Sequence, residues 1–300
     1  MNVEERWIVR TEGDTWDIVS SVGVTALGVA AERAIESARS DALMRDPYAE
    51  LFVAASGHEE MNRLLADPAA RPDAVQGSHF MGLRSRYFDD YFLTATAGGV
   101  RQAVILASGL DTRAYRLAWP AGTVVFELDQ PDVLEFKEKV LADHGACPAA
   151  DRRGMAADLR DDWTAALLDA GFDPTVPTAW AAEGLLAYLP GATQDLLFER
   201  IDRLSAPGSG LATDYAWLAG YSDDELAGIY FEGVEVRGLL YGDARADPDA
   251  WFAARGWHTD AVVLPELATR YGRRIPADLD RFNSTRNHVR YLTARSPLRG

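Results

Sequence analysis

Acidic side chains stand at the ends of several short apolar segments in the middle of the chain. Glu127 and Asp129 close one segment, Asp158 follows the next, and Glu183 follows a third. Carboxylates accept hydrogen bonds from hydroxyl and amino groups and attract positive charge. Together they would suit a ligand that carries ribose hydroxyls, an adenine amino group and a positive charge.

A tight turn precedes these acids. The apolar run 103–107 is typical of a buried strand, and Ser108-Gly109 breaks it where the backbone must turn sharply and let a ligand approach. Asp129 lies about 20 residues beyond this turn, the offset at which Rossmann-type units place a carboxylate on ribose hydroxyls. Glu127 shares its strand face by period two and competes for the same role. The turn lacks a full G-x-G-x-x-G, so a nicotinamide-dependent oxidoreductase is the weaker alternative.

Ser108 also follows a strand, as the nucleophile of an α/β-hydrolase does. The G-x-S-x-G turn of those enzymes needs a glycine two residues to either side of the serine. Leu106 and Leu110 stand at these positions, which excludes the hydrolase interpretation.

These acids can form one site only if several strands end at the same edge of a sheet. After residue 99 the sequence alternates short strand patterns with helical ones, which predicts a parallel sheet covered by helices on both faces. In such a doubly wound sheet the loops after successive strands open on the same carboxyl edge. The predicted strands are residues 103–107, 123–128, 154–157, 178–182 and 210–213, and the segments 251–264 and 288–294 predict a helix and two further strands.

Two regions flank this α/β core. Helical spacing from residue 17 to residue 98, including the amphipathic segment 84–97, predicts an all-helical cap. We therefore expect one domain, with the cap over residues 1–98, a cofactor-binding core over 99–214, and a lid insertion with C-terminal strands over 215–300. The lid is inferred from a stretch rich in aromatic side chains, namely Trp217, Tyr221, Tyr230, Phe231 and Tyr241.

The composition limits the classes of molecule that the protein is expected to bind and the compartment in which it is expected. A formal net charge of −16 argues against nucleic acid, which proteins bind by neutralising phosphates with Lys and Arg. Cys147 is the single cysteine and the five histidines lack metal-ligand spacing, so neither an intrachain disulfide nor a metal site is expected. The N-terminus MNVEERWIVR carries acids where a signal peptide would be basic, and the run 22–31 is shorter than a bilayer span. We expect a cytoplasmic protein without a membrane segment; the sequence carries no signal for an oligomeric state.

The chain resembles the S-adenosylmethionine-dependent methyltransferases akin to leucine carboxyl methyltransferase, especially a group found in mycobacteria and other actinobacteria. The resemblance covers nearly the whole chain. It implies a Rossmann-like methyltransferase sheet of about seven strands, mostly parallel, with the last strand antiparallel, and S-adenosyl-L-methionine as cofactor. The segments that carry it are DPYAELF (46–52), RSRYFDDYF (84–92), SGLDTRAYRL (108–117), FELDQPDVLEFK (126–137), ADLRDDW (157–163) and AEGLLAYLP (182–190).

The resemblance assigns residues to the methionyl end of the cofactor and to the turn on which the cofactor lies. Arg86 matches the arginine that holds the methionyl carboxylate, although a surface pair with a neighbouring acid is the alternative. Gly109 matches a glycine on which the ligand lies, and Ala107 stands where related sequences often carry the first glycine of G-A-G. Glu183 resembles the acid near the methionyl amine, and a buried acid without such a partner would be costly.

The other assignments concern the adenosyl group. Asp129 matches the acid that binds the ribose. Asp158, with the backbone of Leu159, matches the pair that grips adenine; a helix N-cap ahead of Trp163 is the alternative for Asp158.

The resemblance further implies methyl transfer, and we expect a small-molecule acceptor with a carboxylate or hydroxyl oxygen. A carboxylate needs no general base, and no catalytic residue is identified. Tyr188 is a candidate for the acceptor site, and Arg113 or Arg237 could hold an anionic acceptor. A cofactor-binding protein that has lost catalysis is the alternative function.

Overall fold

The computed structural model of the protein describes residues 22–216, 230–231, 234–235, 240–241, 243–274 and 289–298. The N-terminal segment MNVEERWIVR, the lid aromatics Trp217 and Tyr221, and the acceptor candidate Arg237 lie outside these residues. The lid and the division into cap, core and C-terminal part therefore stay predictions.

A seven-stranded sheet forms the centre, in the order β3-β2-β1-β4-β5-β9-β8. Strands β1 to β5 are mutually parallel, while β9, the last strand, is antiparallel to both of its neighbours. This confirms the predicted doubly wound, mostly parallel sheet. The strands are β1 (Gln102–Leu106), β2 (Val124–Asp129), β3 (Asp151–Ala156), β4 (Thr178–Ala182), β5 (Gly210–Ala216), β8 (His258–Val263) and β9 (Val289–Arg295), and a separate ribbon pairs β6 (Tyr230–Phe231) with β7 (Val234–Glu235).

Helices cover both faces of the sheet. The segment before β1 is helical, as predicted, and the amphipathic pattern over 84–97 is the second half of one long helix. Within the described residues, no helix has both the length and the apolar character needed to cross a bilayer. The helices are α1 (Val22–Ala38), α2 (Ala49–Ser56), α3 (Glu59–Ala66), α4 (Pro72–Ala97), α5 (Arg113–Arg116), α6 (Pro131–Asp143), α7 (Thr164–Asp169), α8 (Gly191–Leu204), α9 (Pro248–Ala253) and α10 (Leu264–Arg270).

The central strands are apolar because both of their faces are covered. Every residue of β1 and β4 is buried. On one face, Trp180 of β4 packs against Trp163 with ring centroids 6.3 Å apart. On the other face, Phe88 and Phe92 of α4 belong to the buried cluster that covers β1. Burial of such a central sheet fixes the carboxyl ends of its strands in one rigid edge.

The cap is tied to this edge by a buried arginine of α1. Arg33 donates from Nη2 to the backbone oxygen of Leu110, which follows β1, at 2.6 Å. Its Nε lies 3.1 Å from the buried carboxylate of Asp46, and that carboxylate also accepts from the backbone N–H of Tyr48 at 3.0 Å. Helix α1 is thereby held directly over the loop that follows β1.

Candidate active site

A cavity of about 330 Å³ lies between the carboxyl edge of the sheet and helices α1 and α4. We call it the sheet-edge cavity. Its volume falls in the range of small-molecule sites. The cap supplies Ala26, Val29, Glu32, Arg33, Phe80, Met81 and Arg84, and the strand ends supply Ala107, Ser108, Gly109, Asp111, Asp129, Gln130, Asp158, Leu159, Glu183, Gly184, Tyr188 and Leu189.

The turn after β1 forms the floor of the cavity. Gly109 has φ +49°, and a Cβ placed there would lie 3.7 Å from the Cβ of Ala26, so the missing side chain keeps the floor open. Ala107 also has φ 49°, and among the described residues it is the single non-glycine with positive φ. A left-handed alanine costs about 1–2 kcal/mol. The turn therefore holds Ala107 in a backbone conformation that glycine adopts more readily.

Asp129 faces the cavity from the end of β2. Its Oδ2 accepts from the backbone N–H of Gly109 at 2.5 Å, and its Oδ1 accepts from the N–H of Gln130 at 2.7 Å. Burial raises the pKa of Asp129, while these two hydrogen bonds act to lower it. Each carboxylate oxygen keeps a lone pair, which a ribose hydroxyl could use.

Glu127, the competing acid, is turned away from the sheet-edge cavity. Its side chain is fully buried, with Oε2 at 2.8 Å from Lys137 Nζ and 2.6 Å from Arg152 Nε. The structure thus gives Glu127 a buried ion-pair network and leaves Asp129 as the acid of β2 that lines the cavity.

Asp158 and Leu159 line the cavity beyond β3. The Asp158 carboxylate accepts from the backbone N–H of Arg160 at 2.8 Å and from Gln130 Nε2 at 3.0 Å. Burial acts to raise the pKa of Asp158, but the hydrogen bonds from Arg160 outweigh it and lower the pKa. The alternative N-cap interpretation is wrong, because Asp162 accepts from the N–H of Thr164, where α7 begins, at 3.1 Å.

Glu183, after β4, is held between two arginines. Its Oε1 lies 3.0 Å from Arg84 Nε, and its Oε2 accepts from Arg113 Nη1 at 2.6 Å. Glu183 therefore has partners within the protein, so the cost of burying an unpaired acid does not require a ligand at this position. Asp214 lies on the other side, 3.2 Å from Arg84 Nε, and burial raises the pKa of Asp214.

Arg86 does not reach the sheet-edge cavity. Its side chain is 45% exposed, and Nε donates to Asp90 at 2.9 Å. Arg84 lines the cavity instead. Two residues along an α-helix rotate a side chain by more than half a turn, so these two arginines point to different sides of α4. Arg86 therefore forms the alternative surface pair, and Arg84 is the arginine of α4 that lines the cavity.

Arg113 is likewise not available to hold an anionic acceptor. Its side chain is 3% exposed and is surrounded by Asp89, Asp111 and Glu183. Burial disfavours the charged form of Asp111, yet the Arg113 guanidinium lowers the pKa of Asp111 to about 2. The guanidinium of Arg113 is therefore occupied by contacts within the protein.

Tyr188 lies in a 3₁₀ turn, Leu186–Tyr188, and lines the cavity as anticipated. The turn is fixed from behind by the backbone N–H of Tyr241, which donates to Ala187 O at 2.9 Å, and by Arg245 Nη1, which donates to Leu186 O at 2.7 Å. The end of the predicted lid segment therefore sets the position of Tyr188.

The donors and acceptors of the cavity match an adenosyl and amino-acid ligand. Asp129 and Asp158 present carboxylates at the ends of the neighbouring strands β2 and β3, and Glu183, after β4, presents an anion beside the cation of Arg84 from α4. Gly184, with φ +63°, makes room for that arginine, since a Cβ there would lie 2.1 Å from Arg84 Nη2. In the part of the chain that the structure describes, no cluster of His, Cys, Asp or Glu could hold a metal ion.

A doubly wound sheet with one antiparallel last strand and acids at successive strand ends defines the S-adenosyl-L-methionine-dependent methyltransferases as a class. The comparisons agree with this class. A crystal structure of a provisionally named methyltransferase from Thermobifida fusca YX aligns with a TM-score of 0.53 at 18% identity, covering 90% of this chain and 94% of that one. At this identity the alignment shows the fold alone.

Sequence comparison identifies the family. The model of the family described as "Leucine carboxyl methyltransferase" matches residues 26–202. A provisionally named S-adenosyl-L-methionine-dependent methyltransferase of Rhodococcus jostii is 55% identical over 295 residues, covering 95% of this chain and 99% of the relative. Another from Mycobacteroides abscessus is 54% identical over 287 residues, covering 92% of each. The chain belongs to the leucine carboxyl methyltransferase family and is an S-adenosyl-L-methionine-dependent methyltransferase.

Proposed function

We propose that this enzyme transfers a methyl group to a carboxylate or hydroxyl oxygen of a small molecule bound in the sheet-edge cavity. The observation that carries the proposal is the apolar wall that the cap sets opposite the acidic strand ends. Val29, Phe80 and Met81 lie on this wall, and Tyr188 and Leu189 also line the cavity. Such a surface suits a small, mainly apolar acceptor.

In this proposal the strand ends hold the cofactor. Asp129 accepts from the ribose hydroxyls, and the Gly109 backbone lies under the ligand. Asp158 accepts from the adenine amino group, beside the Leu159 backbone. The support is that all four residues line one cavity, where the Asp129 carboxylate keeps unused lone pairs. Asp158 already accepts from Arg160 and Gln130, so one of those hydrogen bonds would give way to the adenine amino group.

The methionyl end would lie at the ion pair of Arg84 and Glu183. A guanidinium suits the methionyl carboxylate, and a carboxylate suits the ammonium group. The Nε atom of Arg84 already lies 3.0 Å from Glu183 Oε1 and 3.2 Å from Asp214 Oδ2. Arg84 would use its remaining donors for the ligand.

The cofactor supplies an activated methyl group when it is bound. The chain must then align an acceptor oxygen with it and exclude water. Helices α1 and α4 line one side of the cavity, and Arg33 holds α1 in that place through Leu110 O. Tyr188, which lines the cavity, is the candidate to hydrogen-bond an acceptor oxygen there.

The charges of the cavity bear on the choice between the two acceptor oxygens. Each of its arginines lies against an acid, in the pairs Arg33 with Asp46, Arg84 with Glu183 and Arg160 with Asp158. A carboxylate acceptor would have to share one of these cations, whereas a hydroxyl acceptor would not. The family description favours a carboxyl group, so both oxygens remain in the proposal.

A methyl-transfer screen with matched acceptors tests this proposal. Each set of three would present one apolar scaffold as a carboxylic acid, as an alcohol or phenol, and as an amine, with RNA as a separate arm. Radiolabelled methyl transfer to the oxygen acceptors, lost in an Asp129→Ala control, is the expected result. Transfer chiefly to amines or to RNA would contradict the proposal, and cofactor binding without transfer to any acceptor of the panel would count against its acceptor class.

A further inference from the structure

The buried side chain of Arg113 connects three parts of the protein beneath the sheet-edge cavity. Its Nε donates to Asp89 Oδ1 of α4 at 2.7 Å, and its Nη2 donates to Ser85 O at 3.3 Å. Its Nη1 donates to Glu183 Oε2 at 2.6 Å and also contacts the Asp111 carboxylate. Both Glu183 and Asp111 line the cavity, whereas Arg113 itself does not.

We propose that Arg113 is a positioning residue, which sets the orientation of the Glu183 carboxylate for the methionyl end of the cofactor. The inference rests on the proposed function, since it takes Glu183 as the acid of the ammonium group. Arg113 acts through Glu183 and does not touch the ligand.

The geometry at Glu183 carries this inference. One carboxylate oxygen is held by Arg84 and the other by Arg113. A carboxylate held at both oxygens cannot rotate about its last bond without breaking an ion pair. Gly184, directly after it, has φ +63°, a conformation that allows the backbone to place Glu183 between the two arginines.

The fork of the guanidinium is needed for this task. Arg113 spans from Asp89 on one side to Glu183 on the other, through separate nitrogens with fixed directions. A lysine ammonium is a single point charge on a flexible stem, so it cannot hold both acids in one geometry. Replacement by lysine keeps the charge and removes the positioning.

Arg116 provides a matched control. It is also buried, with a side chain 7% exposed, and binds the same acid: its Nη1 and Nη2 donate to Asp89 at 2.6 and 2.7 Å. Its Nε donates to Thr112 Oγ1 at 3.2 Å. These contacts involve no acid of the sheet-edge cavity. Arg113 and Arg116 therefore share a buried ion pair with Asp89, and Arg113 alone extends it to Glu183.

The experiment compares Arg113→Lys with Arg116→Lys. Binding of S-adenosylhomocysteine would be measured by calorimetry well below the melting temperature of each variant. Both variants should melt at a lower temperature than the wild type, because both weaken a buried ion pair. Arg113→Lys should weaken binding about tenfold, as expected for a disturbed hydrogen bond to a charged group. Arg116→Lys should stay within about twofold of the wild type, since its contacts are remote from the ligand.

A double mutant separates positioning from general destabilisation. In a Glu183→Gln background, Arg113→Lys should change binding by less than about twofold, because the acid it orients is already removed. Equal weakening by Arg113→Lys and Arg116→Lys, or unchanged binding in a folded Arg113→Lys protein, would overturn the proposal. Should Arg113→Lys fail to fold, Asp89→Asn loosens Arg113 from outside the cavity, and unchanged binding in that variant would overturn it as well.

The same titration keeps the two proposals apart. If the cofactor does not bind at the residues proposed for it, Asp129→Ala will bind S-adenosylhomocysteine like the wild type. If only the role of Arg113 is wrong, Asp129→Ala will lose affinity while Arg113→Lys keeps it.

Discussion

Two acids of β2, two residues apart, should differ in the property that their mutation affects. Asp129 lines the sheet-edge cavity, whereas Glu127 is fully buried against Lys137 and Arg152. We predict that Asp129→Ala mainly weakens cofactor binding and that Glu127→Gln mainly lowers the free energy of unfolding.

The magnitude for Asp129→Ala follows from its contacts. Loss of a hydrogen bond to a charged group costs about 1.5–3 kcal/mol, so the dissociation constant should rise about 10- to 150-fold. The mutation also leaves the N–H groups of Gly109 and Gln130 without the acceptors that lie 2.5 and 2.7 Å away. Both residues line the cavity, where water can reach them, so we expect a stability loss of only about 2 kcal/mol in total.

The magnitude for Glu127→Gln follows from burial. The mutation removes the anion that two cations share, at 2.8 Å from Lys137 Nζ and 2.6 Å from Arg152 Nε. Breaking a buried ion pair by removing one partner costs about 3–5 kcal/mol. The site of this loss lies outside the cavity, so binding should stay within about twofold of the wild type.

The assay pairs urea unfolding with calorimetric titration of S-adenosylhomocysteine, both at a temperature where each variant is folded. The reasoning predicts a large change in the dissociation constant for Asp129→Ala and a large change in the unfolding midpoint for Glu127→Gln. If Glu127→Gln abolishes binding in a folded protein while Asp129→Ala binds normally, the ribose acid has been assigned to the wrong residue.

Three further changes probe the helix arginines, the turn after β1 and the cap. Arg84→Lys should weaken S-adenosylhomocysteine binding about tenfold. Arg86→Ala should leave binding unchanged and alter the free energy of unfolding by less than about 0.5 kcal/mol. Equal effects of the two variants in calorimetry would contradict the proposal that Arg84 holds the methionyl carboxylate. Ala107→Gly should raise the free energy of unfolding by about 1 kcal/mol by relieving a left-handed alanine, and a lower urea midpoint would refute this. Burial and two neighbouring arginines lower the pKa of His79 to about 4, so stability should fall as the pH drops from about 6.5 towards 4. His79→Gln should flatten that decline in pH-dependent unfolding, and an unchanged slope would show that another group is responsible.

The sheet and its acids could be predicted because their signals are local. An apolar run followed by a turn predicts a buried strand, and parallel strands bring their carboxyl ends to one edge. Asp129, Asp158 and Glu183 therefore meet at one cavity, as the order of strands and acids indicated. The choice between Glu127 and Asp129 needed the structure, because Lys137 and Arg152 come from other elements.

The position of Arg86 outside the sheet-edge cavity could have been predicted from the sequence. Arg84 stands four residues before Phe88 and eight before Phe92, so helical periodicity places it on the buried face of α4. Arg86 stands four residues before Asp90, on the polar face where i, i+4 ion pairs form.

The network around Glu183 was not predictable in the same way. Arg113 meets Glu183 across 70 residues of sequence, and Arg84 joins them from the helical cap. No spacing rule connects positions so far apart, because the contact depends on how α4 crosses the sheet. Ion pairs between distant elements are fixed by tertiary packing, and that also explains why Arg113 was taken for an acceptor-binding residue.

A crystal structure of the complex with S-adenosylhomocysteine would show directly which residues bind the cofactor. We expect the ribose hydroxyls to contact Asp129, the adenine amino group to contact Asp158, and the amino-acid end to contact Arg84 and Glu183. A ligand bound outside the sheet-edge cavity, or bound within it with the ribose away from Asp129, would contradict this assignment.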